Sequence, residues 1–139
     1  MSINKKHQIE IEYKGKLRTE SVHLGSGHRI ITDAPIDNYG KGQAFSPTDL
    51  VVSALGSCIL TIIGIVATRN QVSIDGSRCN ILKEMTVNPR KISKIVINIY
   101  IQNLESSVIK KKIEHAAKSC PVYNSLDSNI HKKIIFNYY

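Results

Sequence analysis

The sequence is short of the features that mark many specialised proteins. Its three cysteines, Cys58, Cys79 and Cys120, are odd in number, form no C-x-x-C pair, and have no histidine within three or four residues. A disulfide framework needs paired cysteines and an oxidising compartment, and a zinc site needs ligands more closely spaced. Neither is expected, and nothing calls for a metal, haem or flavin cofactor. No uninterrupted apolar run reaches the roughly 18 residues that would span a bilayer. The longest apolar stretch, Leu50 to Ala67, is broken by Ser53, Gly56, Ser57, Thr61 and Gly64, so no membrane partner is expected. Met1 to His7 carries no apolar signal region and leads into a strand pattern, which makes a cytoplasmic protein the expectation. Acidic residues are scarce, 11 against 19 lysines and arginines, giving a formal charge of +8. The excess is scattered, with no recognition helix or aromatic RNA-binding motif beside it. It reads as a basic surface, and nucleic acid is not an expected partner.

What is present fits one small domain spanning all 139 residues, with no repeat or low-complexity segment. Gln8 to Tyr13 alternates polar and apolar residues as a half-buried strand does. Gly15 turns the chain into a second strand over Lys16 to Leu24, and Gly25-Ser26-Gly27 turns it into a third over Arg29 to Thr32. Pro35, Asn38, Gly40 and Gly42 mark a loop to Gln43. These N-terminal strands and loop fill residues 1–45. A helix then occupies 46–70: Ser46 is a good N-cap, Pro47 suits the first helical position, and Asp49 suits the positive end of the dipole. Its circumference is apolar almost throughout, interrupted only by small residues, so it must be covered on nearly all sides. The remainder, 73–139, reads as a ββαβ half. Its strands are at Ser77 to Thr86, Ile92 to Ile101 and Ile130 to Tyr138, with a helix over Ser106 to Lys118 that ends at Cys120-Pro121 and a short helical turn after it. The order βββ-α-ββ-α-β with hairpin connections indicates an α+β domain. One small sheet cannot cover so apolar a helix, which points to a second subunit.

Read alone, each cysteine has a bland explanation. Cys58 lies mid-helix among apolar residues, Cys120 at a helix end where backbone amides are unpaired, and Cys79 mid-strand. The segments around two of them change this. Phe45-Ser-Pro-Thr-Asp-Leu-Val-Val-Ser-Ala-Leu-Gly-Ser-Cys58 resembles the helix opening and first-cysteine segment of the osmotically induced and organic hydroperoxide resistance (OsmC/Ohr) family. Ser119-Cys-Pro-Val-Tyr-Asn-Ser-Leu126 resembles its second-cysteine segment, and Lys83 to Arg90 is similar to the hairpin of its OsmC-like branch. The resemblance runs from about Glu10 to Tyr138.

It implies an OsmC-like fold, antiparallel sheets packed around a long central helix, in an intertwined homodimer. It also implies a thiol peroxidase cycle in which Cys58 attacks a hydroperoxide and Cys120 resolves the product as a disulfide. An external dithiol then restores both thiols. Apolar surroundings for Cys58 suit an organic peroxide but oppose ionisation unless a cation offsets them. In the family that cation is an arginine of the N-terminal strands, held by an acid near the start of the central helix. Arg18 is the best match by position, and Arg29 is the rival. The peroxidases place a glutamate ten residues before the first cysteine, where this chain has Thr48. The nearest acid is Asp49, which also has an ordinary role at a helix N-terminus. The departure leaves open a second expectation, a weakly active or non-catalytic protein that holds a small hydrophobic ligand in the dimer cleft.

Overall fold

The computed structural model describes residues 7–139; the Met1–Lys6 stretch read above as a lead-in lies outside the described residues. The chain divides into two compact units, Met1–Leu50 and Val51–Tyr139.

In the first unit β1 (Ile9–Gly15), β2 (Arg18–His23) and β3 (Arg29–Asp33) form an antiparallel sheet in that order. Gly15, at a φ of 90°, takes the positive value that the first turn needs and that side chains disfavour. Cross-strand partners point to the same side, so the register sorts the side chains into two faces. Ile9, Ile11 and Tyr13 stand opposite His23, Ser21 and Thr19, and Ser21 and Thr19 stand opposite Ile30 and Thr32. That face carries no aspartate, glutamate, lysine or arginine. The other presents Glu10, Glu12, Arg18, Glu20, Arg29 and Asp33. After β3 the loop folds tightly back: a Cβ on Gly40 would lie 1.7 Å from the Ala34 carbonyl oxygen, so only glycine fits.

The loop delivers the chain to α1 (Pro47–Arg69). The Ser46 hydroxyl accepts from the Asp49 amide at 3.1 Å, and the Asp49 carboxylate accepts from the Ser46 amide at 3.0 Å. This reciprocal closure satisfies helix-end donors that would otherwise be orphaned.

In the second unit β4 (Arg78–Met85), β5 (Ile92–Ile101) and β6 (His131–Tyr138) form the other sheet, with β5 central. The alternation along β5 buries Ile95, Ile97, Ile99 and Ile101 completely. Each fully buried isoleucine contributes about 1.5–3 kcal/mol to the core. Val52, Leu55, Ile59 and Ile63 of α1 join the same cluster, as do Ile113 and Ala117 of α2 (Ser107–Ala117). Gly56 lets β4 approach α1: a Cβ there would meet the Ile81 Cδ1 at 2.7 Å and the Cys79 sulfur at 3.1 Å. The opposite side of α1, with Val51, Ser57, Thr61, Ile65 and Thr68, stays exposed in the single chain. By length and hydropathy alone α1 could cross a membrane. Its buried stripe instead packs into the isoleucine core, as a core helix does.

One ladder corrects the expectation of wholly antiparallel sheets. β4 and β5 pair antiparallel, but β6 runs parallel to β5, with Ile97 opposite Ile134. Parallel neighbours need a crossover rather than a hairpin. Here α2 and α3 (Pro121–Ser125) supply it.

Candidate functional site

Two of the cysteines lie at one core cluster of the second unit. Cys58 comes from the middle of α1 and is partly exposed, whereas Cys120 is fully buried; both are free thiols. Cys120 caps α3, as its place before Pro121 allows, and its Sγ accepts the Tyr123 amide at 3.3 Å. Burial pushes the Cys120 thiol up from its ordinary pKa, and the amide of Tyr123 pulls it back in part. The neighbouring Cys58 then pushes it up further. Cys120 is the buried member of the pair, set behind a more accessible partner. Cys79 faces inward from β4 against Gly56, and burial alone raises its pKa. Its position is a packing position.

The other named residues belong to the first unit. Arg18 stands opposite Asp33 in the β2–β3 ladder and grips it with two bonds, Nε to Oδ1 at 2.7 Å and Nη2 to Oδ2 at 2.8 Å. The Asp33 side chain is only 1% exposed against 34% for Arg18. Gln43 adds its amide to Asp33 Oδ2 at 3.1 Å and accepts from Arg18 Nη2 at 3.3 Å. The Arg18 hydrogen bond holds the Asp33 carboxyl below the usual carboxylate range, against the opposing effect of burial. The same bond holds the Arg18 guanidinium above its ordinary value. The carboxylate that Arg18 grips is thus Asp33, while Asp49 closes the cap of α1. Thr48 lies with its hydroxyl 3.2 Å from that of Ser46. Arg29, the rival, pairs with Glu20 on the surface with 61% of its side chain exposed.

Asp33 and Gln43 are the residues sequence reasoning missed. Asp33 directly follows the strand expected over Arg29 to Thr32, and the turn at Gly25-Ser26-Gly27 supplies the signal for it. Folding the two strands symmetrically about Gly25–Ser26 sets Asp33 against Arg18. Among the described residues no three histidine, cysteine, aspartate or glutamate side chains gather as a metal site would require. A cavity of about 770 Å³ opens beside the C-terminal end of α1, lined among others by Thr61, Ile65, Val72 and Ile74; neither Cys58 nor Cys120 lines it.

The fold has counterparts in known proteins. A crystal structure from Psychrobacter arcticus, provisionally described as an osmotic stress induced and detoxification response protein, superposes with a TM-score of 0.92 at 39% identity. The match covers 99% of this chain and 100% of that one. An OsmC-like protein from Mycoplasma pneumoniae shares the fold at a TM-score of 0.76 and 21% identity, over 99% of this chain and 98% of that one. An organic hydroperoxide resistance protein from Legionella pneumophila shares it at 0.74 and 16%, over 95% and 98%. An uncharacterised protein of Methanocaldococcus jannaschii is 28% identical over 69% of this chain, which spans about half (53%) of that relative's length. The family model described as OsmC-like protein matches residues 40–134. With two sheets, a long helix between its halves in sequence, and that match over most of its length, the chain belongs to the OsmC-like protein family.

Proposed function

We propose that this protein is a thiol-dependent hydroperoxide reductase with Cys58 as the peroxidatic and Cys120 as the resolving residue. The observation that carries the reading is that a partly exposed Cys58 packs against the core cluster that holds the buried Cys120, both as free thiols. In the first step the Cys58 thiolate attacks one oxygen of the O–O bond. The sulfur is oxidised to a sulfenic acid, and the other oxygen leaves as an alkoxide that takes a proton to become an alcohol. The Cys120 thiol then attacks the sulfenic sulfur, forming the Cys58–Cys120 disulfide and releasing water. An external dithiol reduces that disulfide by exchange, ending as a disulfide itself. Arg18 supplies the counter-charge to the Cys58 thiolate.

The apolar surroundings of Cys58 within the core cluster favour an organic hydroperoxide over hydrogen peroxide. The assembly is a homodimer, because the uncharged face of the β1–β3 sheet and the exposed side of α1 both call for an apolar cover. A cytoplasmic setting suits free thiols that must be re-reduced. A second reading, a binder of a small hydrophobic ligand, is favoured by the cavity beside α1.

Thiol counting separates the two. One equivalent of cumene hydroperoxide removes Cys58 and Cys120 together from the thiol count of the wild type, removes neither in Cys58→Ser, and oxidises Cys58 alone in Cys120→Ser. A wild-type count left unchanged by peroxide rules out the reductase and leaves the binder.

A further inference from the structure

We propose that Lys132 is a positioning residue for the resolving step: from β6 it holds the ring of Tyr123, and with it the α3 turn that aims the Cys120 sulfur. This rests on the roles given to Cys58 and Cys120 above and adds what keeps the second of them in place.

Lys132 stands where the fold calls for an apolar residue. It shares with Ile134, Phe136 and Tyr138 the side of β6 that lies opposite Ile95, Ile97, Ile99 and Ile101, all four fully buried. The other three of its stripe pack against the apolar cluster. A cation turned that way is unfavourable unless it is partnered, and Lys132 is partnered. Its Nζ donates to the backbone carbonyls of Asp127 and Ile130, at 3.3 Å each, and lies 5.0 Å from the centre of the Tyr123 ring. That distance is within the range of about 6 Å over which a ring face attracts an ammonium. One side chain thus ties together α3, the turn that follows it and a strand locked in its ladder with β5.

α3 needs such a tie. At five residues it is too short to persist by itself, so its place is set by what it touches. At its start the Cys120 Sγ accepts the Tyr123 amide at 3.3 Å, which directs the sulfur. Tyr123 therefore carries both contacts, its amide to the thiol and its ring to Lys132. The amides of Tyr123 and Val122 also draw the Cys120 thiol down against the effect of burial, which eases the ionisation that attack on a sulfenic acid needs. Without the ring contact, the turn and the sulfur it directs lose their common anchor.

The tie could instead be a latch that must open before Cys120 can move, and the two roles differ in sign. The sulfenic acid on Cys58 has two fates. Cys120 attacks it, giving the disulfide and water, or a second hydroperoxide oxidises it to sulfinic acid and departs as the alcohol. The readouts are the rates of sulfenic acid and of disulfide formation after one equivalent of cumene hydroperoxide, and the peroxide concentration that leaves half of Cys58 as sulfinic acid. Peptide mass spectrometry with dimedone trapping resolves all three. If Lys132 positions the turn, Lys132→Met, which keeps an unbranched stem without the charge, slows disulfide formation about tenfold relative to sulfenic acid formation. The half-sulfinic concentration falls by a similar factor, and Lys132→Arg, which keeps a cation over the ring, restores part of both. Slowing of both steps alike marks a merely structural role and overturns the proposal, as does a resolving step that is unchanged or faster. Should Lys132→Met fail to fold, Tyr123→Leu, which removes the ring from the other end of the contact, is expected to give the same selective slowing; its absence overturns the proposal. A wild-type thiol count unmoved by peroxide removes the roles of the two cysteines, and this inference with them.

Discussion

The two units of the chain are stabilised by different physics. In the second, α1, α2 and the β4–β6 sheet bury a continuous apolar cluster in which the alternate isoleucines of β5 are sealed completely. In the first, the buried residues are polar, Thr32, Asp33 and Ser46, while Ile9, Ile11, Tyr13 and Ile30 stay well exposed in the single chain. One unit is held by area removed from water, the other by hydrogen bonds around a carboxylate and a helix cap. Cys58 and Cys120 lie in the unit with its own apolar core, and Arg18 lies in the unit held by an ion lock.

The largest test of this contrast is a cut on each side of it. Ile97→Ala removes a fully buried side chain from the centre of β5, and it should destabilise the protein by about 2–5 kcal/mol in urea unfolding followed by circular dichroism. Ile11→Ala removes a similar volume from a residue 63% exposed in the single chain. Its cost should be small in the separated chain and should grow with protein concentration, as cover by a second copy demands. Equal costs for the two variants in the separated chain would dissolve the comparison.

Acid should separate the units next. The folded-state pKa of Asp33 is depressed by the Arg18 hydrogen bond, so its ionised form stabilises the native state at neutral pH. That contribution is complete above the ordinary carboxylate value of about 3.9. It fades as the pH falls through that value and is gone below the depressed one. Hydrogen exchange, corrected for the intrinsic rate, should therefore show the β2–β3 amides losing protection towards about pH 3 before those of β5. Loss in the reverse order, or in step, would mean that the lock contributes nothing separate to the first unit.

The same division decides what could be read from the chain. Strands and helices were legible because alternation and capping are local: Ser46-Pro47 marks the start of α1, and Ile95, Ile97, Ile99 and Ile101 announce a half-buried strand. The parallel seat of β6 was not, since strand direction is settled by where the α2–α3 crossover returns the chain, and no local pattern records that. Periodicity never brought Cys58 and Cys120 together. The pairing is what the family resemblance implies, and both residues lie at one core cluster. Asp49 drew the clamp expectation because it is the acid nearest in sequence to the helix start. The acid that meets Arg18 is nearest in register, and register is legible only once the hairpin is folded on paper.

The smallest effect expected is at Arg29, and its smallness is informative. Arg29 and Arg18 are both arginines of the same sheet, both paired to a carboxylate and both on its charged face. They differ in what surrounds the pair. Glu20 keeps 27% of its side chain in solvent and Arg29 keeps 61%, so water screens the pair and remains available to either partner if the other is removed. Arg29→Ala should then cost about 0–1 kcal/mol in urea unfolding and leave the Cys58 alkylation midpoint where it is. A midpoint that rises with Arg29→Ala as far as with Arg18→Ala would show that net positive charge on the sheet, not a clamped guanidinium, is what the thiolate responds to. In that case the buried pair would matter to the fold of the first unit and not to the sulfur.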